Sequence, residues 1–200
     1  MSVVTSISSS TIPAFYLFKS PLVAHPPFEL FRTLSNGLFR TYYRYFIERE
    51  FTEESLIEGV KLGVCNCANS IRLQEYEKLN TISTSDTVQR LRRRIADFPQ
   101  SVLDEHLSFK IEDIDRVIIY SYLMSTDKFL GITDLHRITF YVTAVVFINR
   151  FENELKSTKS KKKVEDKLIC NITFGRILYP MGRWRVTDVN FFDGQVLNYI

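Results

Sequence analysis

Two observations predict an α+β domain, and a third bounds it. Between residues 28 and 98, apolar side chains recur at spacings of three and four, the period of helices with one buried face, and Gln100 to Leu107 adds a short turn. After residue 114 the chain turns to runs rich in Val, Ile and Tyr, separated by short polar connections, as in antiparallel strands. The length of 200 residues, with 45% hydrophobic and 14% aromatic content, suits a single domain with a sizeable core. A net charge of +3 permits contact with nucleic acid or anionic lipid but argues for neither.

Residues 1–27 differ from the rest. Ser2, Thr5, Ser6, Ser8, Ser9, Ser10 and Thr11 make the start hydroxyl-rich, and the first acid is Glu29. An acid-poor, Ser-rich start suits a mitochondrial transit peptide, although Lys19 is its only full positive charge. The apolar patch Ala14 to Phe18 is short for a secretory signal, and Pro13, Pro21, Pro26 and Pro27 break any long helix. The segment reads as either a disordered tail or a targeting segment, ahead of one domain over 28–200.

Helix one is expected to start just after Pro27, with apolar positions from Phe28 and Phe31 through Leu34, Leu38, Phe39, Tyr42, Tyr43 and Phe46 to Ile47. Arg32, Arg40 and Arg44 fall roughly on another face, and Ser35-Asn36-Gly37 marks a weak point or break. The wide apolar face reads first as a core face. The alternative is a basic, aromatic-rich surface for a membrane or an amphipathic partner.

Helix two has a clear start. Thr52 is a good N-cap, Glu53 and Glu54 favour the positive end of the helix dipole, and Phe51 and Leu56 form a hydrophobic staple. Leu56, Val60, Val64, Cys67 and Ile71 continue one face, and helical pattern runs on to Leu79. Gly59 and Gly63 would allow close approach of another element. A third helix is expected from Asp86 to Phe98, capped by Ser85 and stopped by Pro99. Its Arg90, Arg92, Arg93 and Arg94 cannot share one face, so it reads as a solvated helix, with phosphate or an acidic protein as the alternative partner.

Strands are expected at Ile114–Met124, Leu135–Phe151, Leu168–Tyr179 and Trp184–Phe192. The second has β-branched and aromatic residues on both faces, which suits a central strand covered on both sides. The stretch with Lys156, Lys159, Lys161, Lys162, Lys163 and Lys167 reads as a solvated hairpin loop, or else as a tether to RNA or lipid headgroups.

No catalytic signature stands out. The chain has no Gly-rich phosphate loop, HExxH, CxxC or nucleophile elbow, and His25, His106 and His136 are scattered. Asp134 with His136, and Asp113 with Asp115, are spaced like ordinary surface pairs. Cys65, Cys67 and Cys170 form neither a metal spacing nor a disulfide framework and read as reduced structural thiols. No apolar run is long enough to cross a bilayer. Neither a cofactor nor a metal is expected.

One stretch carries a family resemblance. Phe31-Arg32-Thr33, Tyr42 to Phe51 ending in Glu50-Phe51, and Glu58-Gly59-Val60-Lys61 resemble the matrix AAA-peptidase-interacting protein family of mitochondria. Val88 to Pro99, Ile111-Glu112-Asp113-Ile114-Asp115, and Trp184 with Val186 and Phe191 extend the likeness over residues 28–194. The resemblance implies a nuclear-transport-factor-two-like cone, a superfamily shared with the import-motor tether, with helices on a curved four-stranded antiparallel sheet. It also implies a non-enzymatic protein of the mitochondrial matrix, peripheral to the inner membrane. Its implied partners are the inner-membrane AAA protease and inner-membrane protein precursors, among them the calcium uniporter's small regulatory subunit, so that it supports calcium import. A mitoribosome-binding receptor or ribosomal constituent, and a small pocket enzyme of the same fold, are the alternatives. This chain departs from the family in its arginine-poor start and its unusually basic Lys156–Lys167 loop.

A groove for an amphipathic, basic precursor segment would need acidic and apolar lining. Glu48, Glu50, Glu53, Glu54 and Glu58 at the junction of the first two helices are the candidates, with Arg32, Arg40, Arg44 and Lys161, Lys162 and Lys163 as further partner-binding residues.

Overall fold

The computed structural model describes residues 14–24, 29–126, 138–149 and 167–199. Five helices precede a four-stranded antiparallel sheet, so the chain has the α+β architecture that its two periods predict. The helices are α1 (Leu30–Tyr42), α2 (Glu53–Arg72), α3 (Tyr76–Ile82), α4 (Ser85–Ile95) and α5 (Gln100–Leu107). A π-helical turn, Tyr43–Ile47, ends α1. The strands β1 (Ile114–Thr126), β2 (Ile138–Asn149), β3 (Lys167–Ile177) and β4 (Arg185–Asp193) lie in the order β1-β2-β3-β4. Register shifts at Ile114/Arg116, Ile119/Ser121 and Thr173/Phe174 interrupt the ladders, as bulges do where a sheet bends.

The core has two parts. Phe140, Val142, Ala144, Val146 and Ile148 point from β2 into the main cluster, where Val60, Val64, Cys67 and Ile71 of α2 and Leu91 and Ile95 of α4 meet them. The alternate residues Val145 and Phe147 point the other way, into a smaller cluster with Ile169, Phe192, Ala24 and Val196. β2 is thus covered on both faces, which is why its sequence does not alternate.

The start of α2 follows its sequence signals. Thr52 is the N-cap, and its hydroxyl accepts from the Ser55 amide at 3.1 Å. Its end does not. Instead of running on to Leu79, α2 stops at Arg72, and Gln74 takes φ 55°. Glu75 N donates to Ser70 O at 2.9 Å and Gln74 N to Ile71 O at 3.1 Å, the paired bonds of a Schellman stop. Glycine usually occupies that position, so a glutamine there leaves no signal. Gly63 makes the close approach expected of it: a Cβ there would sit 2.7 Å from the Phe174 ring, whereas Gly59 has open space. The stretch after Pro99, Gln100–Leu107, forms a two-turn helix, α5.

Three further expectations are corrected. Residues 14–24 are not a loose tail. Leu17 N donates to Phe191 O at 2.7 Å, Asp193 N to Phe15 O at 2.8 Å and Phe15 N to the Asp193 carboxylate at 2.9 Å, so this segment pairs with the outer edge of β4. Phe15 and Leu17 are buried in the main core. The Ala14–Phe18 patch is a core strip.

The arginines of α4 are not simply solvated. Arg90 pairs with Asp188, Arg94 Nε donates to Leu17 O at 2.6 Å, and Arg92 lies 5.2 Å over the Tyr76 ring.

Helix α1 runs unbroken through Ser35-Asn36-Gly37, and it faces the opposite way from a core helix. None of its residues is buried. Phe31 is 85% exposed, and Leu30, Leu34, Leu38, Tyr45 and Phe46 are also exposed. The face turned to the sheet is Arg32, Asn36, Phe39 and Tyr43. Asn36 sits at the β1 edge, where its Nδ2 donates to Tyr120 O at 3.1 Å and its Oδ1 accepts from Tyr122 N at 2.9 Å. A polar anchor on an unpaired strand edge thus fixes the helix and turns its apolar stripe outward.

Candidate functional site

The junction after α1 is shaped by one aromatic residue. Tyr43, in the π-helical turn, is fully buried and stacks on Phe140 of β2 at 4.2 Å. Phe51 packs edge-on against it at 4.9 Å. With Tyr43 pinned, the chain turns at Glu48–Glu50 and enters α2 at Thr52. Arg176 at the end of β3 reaches into this turn. Its Nη1 lies 2.9 Å from Glu48 Oε2 and 3.0 Å from the Tyr43 hydroxyl, and its Nε donates to Gly182 O at 2.9 Å. Tyr43 donates to the same Glu48 oxygen at 2.9 Å. Burial pushes the Tyr43 hydroxyl pKa well up; Arg176 opposes this and Glu48 adds to it. Trp184 lies beneath the guanidinium at 5.6 Å.

A cavity of about 290 Å³ opens beside this cluster. Glu48, Glu50 and Phe51 form one wall, Ser55, Leu56, Gly59 and Val60 of α2 a second, and Phe174 and Trp184 of the sheet the floor. The absent side chain at Gly59 helps keep it open. The cleft is apolar with a carboxylate rim. Glu48 is held by Arg176, while Glu50 is exposed and makes no ion pair within the described residues.

The glutamates expected to act together are therefore divided. Glu48 and Glu50 line the cleft. Glu53 pairs with Arg40 across the α1–α2 junction, and Glu54 and Glu58 lie on the exposed side of α2, outside the lining. Arg32 pairs with Glu29 at 3.4 Å and covers the Tyr120 ring at 4.4 Å. Arg44 is exposed. Lys161, Lys162 and Lys163 lie outside the described residues, as do Asp134, His25 and His136. Asp113 accepts from Lys110 N at 2.7 Å and Asp115 pairs with Lys167 at 2.6 Å, both structural roles. His106 is packed against Phe15 at 4.3 Å, with Asp193 at 3.8 Å.

Sequence reasoning missed Arg176 and Tyr43. Arg176 carried a signal, a cation inside the otherwise apolar run Leu168–Leu178. Tyr43 did not stand out among its aromatic neighbours.

A second, more open groove of about 650 Å³ runs between α1 and the end of the β1–β2 pair. It is lined by Leu38, Phe39, Tyr42 and Phe46 on one side and Met124 and Ile138 on the other. Among the described residues, no helix is long and apolar enough to cross a membrane, and no three His, Cys, Asp or Glu side chains converge as metal ligands would. The three cysteines are free thiols. Burial raises the pKa of Cys67 to about 12 and that of Cys65 to about 11, and also raises that of Cys170. Comparison of the chain with protein-family models, curated proteins and solved structures returned no match.

Proposed function

We propose that this chain is a non-enzymatic binding module that takes a short amphipathic, basic segment of a client protein into the Glu48–Trp184 cleft. The supporting observation is the lining itself: Phe51, Leu56, Val60, Phe174 and Trp184 offer apolar contact, and Glu50 offers a rim carboxylate that makes no ion pair among the described residues. Such a surface suits a helix or strand with an apolar side and one or two Lys or Arg side chains. The setting rests on the sequence resemblance alone. It is the mitochondrial matrix, peripheral to the inner membrane and beside the AAA protease, with inner-membrane protein precursors as clients. The calcium uniporter's small regulatory subunit is among those clients, which links the protein to calcium import.

The chain has one tryptophan, and it lies in the cleft, so binding can be read directly. Titrating the full chain with a synthetic basic amphipathic presequence peptide should shift Trp184 emission to the blue. Glu50→Lys should weaken binding several-fold, and more so at low salt. An unchanged spectrum with a range of such peptides would remove the reading. The setting is tested apart from the cleft: a tagged chain that resides in the cytosol, or that recovers no AAA protease from matrix, would discard the cellular assignment and leave the binding result standing.

A further inference from the structure

The outward face of α1 uses none of the residues that line the cleft. Its exposed apolar positions are symmetric about Leu38. Leu34 and Tyr42 lie four residues to either side, Phe31 and Tyr45 seven, and Leu30 and Phe46 eight. Such a stripe is self-complementary: an isologous contact about a two-fold axis sets each position against its mirror, apolar on apolar.

We infer that this face binds a second copy of the chain, with the two α1 helices antiparallel about a two-fold axis at Leu38. Leu38 then meets its own counterpart, Leu34 meets Tyr42, and Phe31 and Leu30 meet the aromatic pair Tyr45 and Phe46. Charge agrees with this direction. Glu29, which also pairs with Arg32 at 3.4 Å, lies at the N-terminal end of α1, and Arg44 just beyond the other. Arg44 is exposed and makes no ion pair within the described residues. Antiparallel docking lays the acidic end over the basic end and opposes the helix dipoles, whereas parallel docking sets Arg44 against Arg44. The thirteen residues of α1 and five of its π turn give a contact about 27 Å long. Its side chains offer on the order of 700 Å² per copy, close to the ~800 Å² per partner of a standard stable interface. An apolar patch of this size is larger than a monomer usually exposes.

The test uses the full chain in sedimentation velocity over the micromolar range, with single-cysteine cross-linking in a Cys65→Ser background. A concentration-dependent dimer is expected. Leu38→Glu places two carboxylates on the axis and should give a folded monomer whose cooperative thermal midpoint no longer depends on concentration, because Leu38 is exposed. Under mild oxidation, Leu38→Cys should link to itself. Phe31→Cys should not, but should link to Tyr45→Cys when the two variants are mixed. A wild-type monomer throughout, a Leu38→Glu dimer, or self-linking by Phe31→Cys as efficient as that by Leu38→Cys would each overturn the inference. So would a monomer that floats with vesicles of phosphatidylcholine and phosphatidylglycerol and loses that property in Phe31→Ser, since the face would then belong to lipid.

Discussion

Glu48 and Arg176 lie 2.9 Å apart, joining the turn before α2 to the end of β3, and the Tyr43 hydroxyl bonds to both. The pair is only partly shielded, with the Glu48 side chain 34% exposed and that of Arg176 14%. Its value is therefore set less by Coulomb attraction than by what is left behind when one partner goes. Arg176→Met should lower the unfolding free energy by about 2 kcal/mol, because Glu48 and Tyr43 lose their shared cation. Adding Glu48→Gln should cost less than the two single effects combined. Urea melts of the four proteins measure the coupling directly.

Asn36 is the bond between α1 and the sheet. Asn36→Ala leaves the Tyr120 carbonyl and the Tyr122 amide without their partners under the helix, at a cost of about 1–3 kcal/mol. Hydrogen exchange should speed up across α1 and at Tyr122 while the β3 amides stay protected. Uniform acceleration would show that α1 does not open as a separate unit.

The two glycines of α2 predict opposite outcomes. Gly59→Ala meets open space and should stabilise by about 0.5–1 kcal/mol through helix propensity alone. Gly63→Ala drives its methyl into the Phe174 ring and should destabilise despite the same propensity gain. Thermal melts give the signs. Because Gly59 also lines the cleft, its substitution should weaken peptide binding even as it stabilises the fold.

Truncation tests the strip that residues 14–18 add to the fold. A chain starting at Ala14 keeps that strip and serves as the reference. A chain starting at Phe28 strips Phe15 and Leu17 from the core and should lose about 4 kcal/mol or more. If both truncations melt alike, the pairing along β4 contributes nothing. The same contrast bears on targeting: a processing site between residues 14 and 27 would cut away part of the core.

Alkali should destabilise the protein. The folded-state pKa values of Cys65, Cys67 and Tyr122 are raised from 9.0, 9.0 and 10.0 to about 11, 12 and 12, chiefly by burial. The unfolded chain therefore releases protons that the folded chain keeps. The stability these groups contribute is complete below about pH 9 and is lost as pH rises from there toward 12. A urea midpoint that falls between pH 8 and pH 11, together with slow native-state reaction of Cys67 and Cys170 with a thiol reagent, checks the sign.

The sequence carried the broad layout and much of the second helix. The helical period and the later runs rich in Val, Ile and Tyr separated helices from strands, and Thr52 with Phe51 and Leu56 located the start of α2, because caps and staples are local chemistry. What stayed hidden depended on partners far along the chain. Periodicity revealed a stripe on α1 but not its direction, which the β1 edge decides through Asn36. Gln74 gave no warning of a helix stop because its left-handed conformation lacks glycine. At the site, the sequence offered a glutamate cluster. The fold kept Glu48 and Glu50, gave Glu53 to Arg40, buried Tyr43 of the same junction, and supplied Arg176 and Trp184 from the far end of the chain, which reach it only once the sheet has formed.

The anchors that close the sheet have a consequence for how this protein fails. Asn36 occupies one outer edge, at β1, and residues 14–18 run along the other, at β4. A damaged or overheated molecule can therefore recruit neighbours strand by strand only after one of these covers has peeled away. The N-terminal strip is held by main-chain bonds along β4, by side-chain bonds from Asn171, Asn190 and Arg94, and by Phe15 and Leu17 in the core, so peeling it opens the core together with the β4 edge. Nicking the chain near residue 20 would loosen that cover.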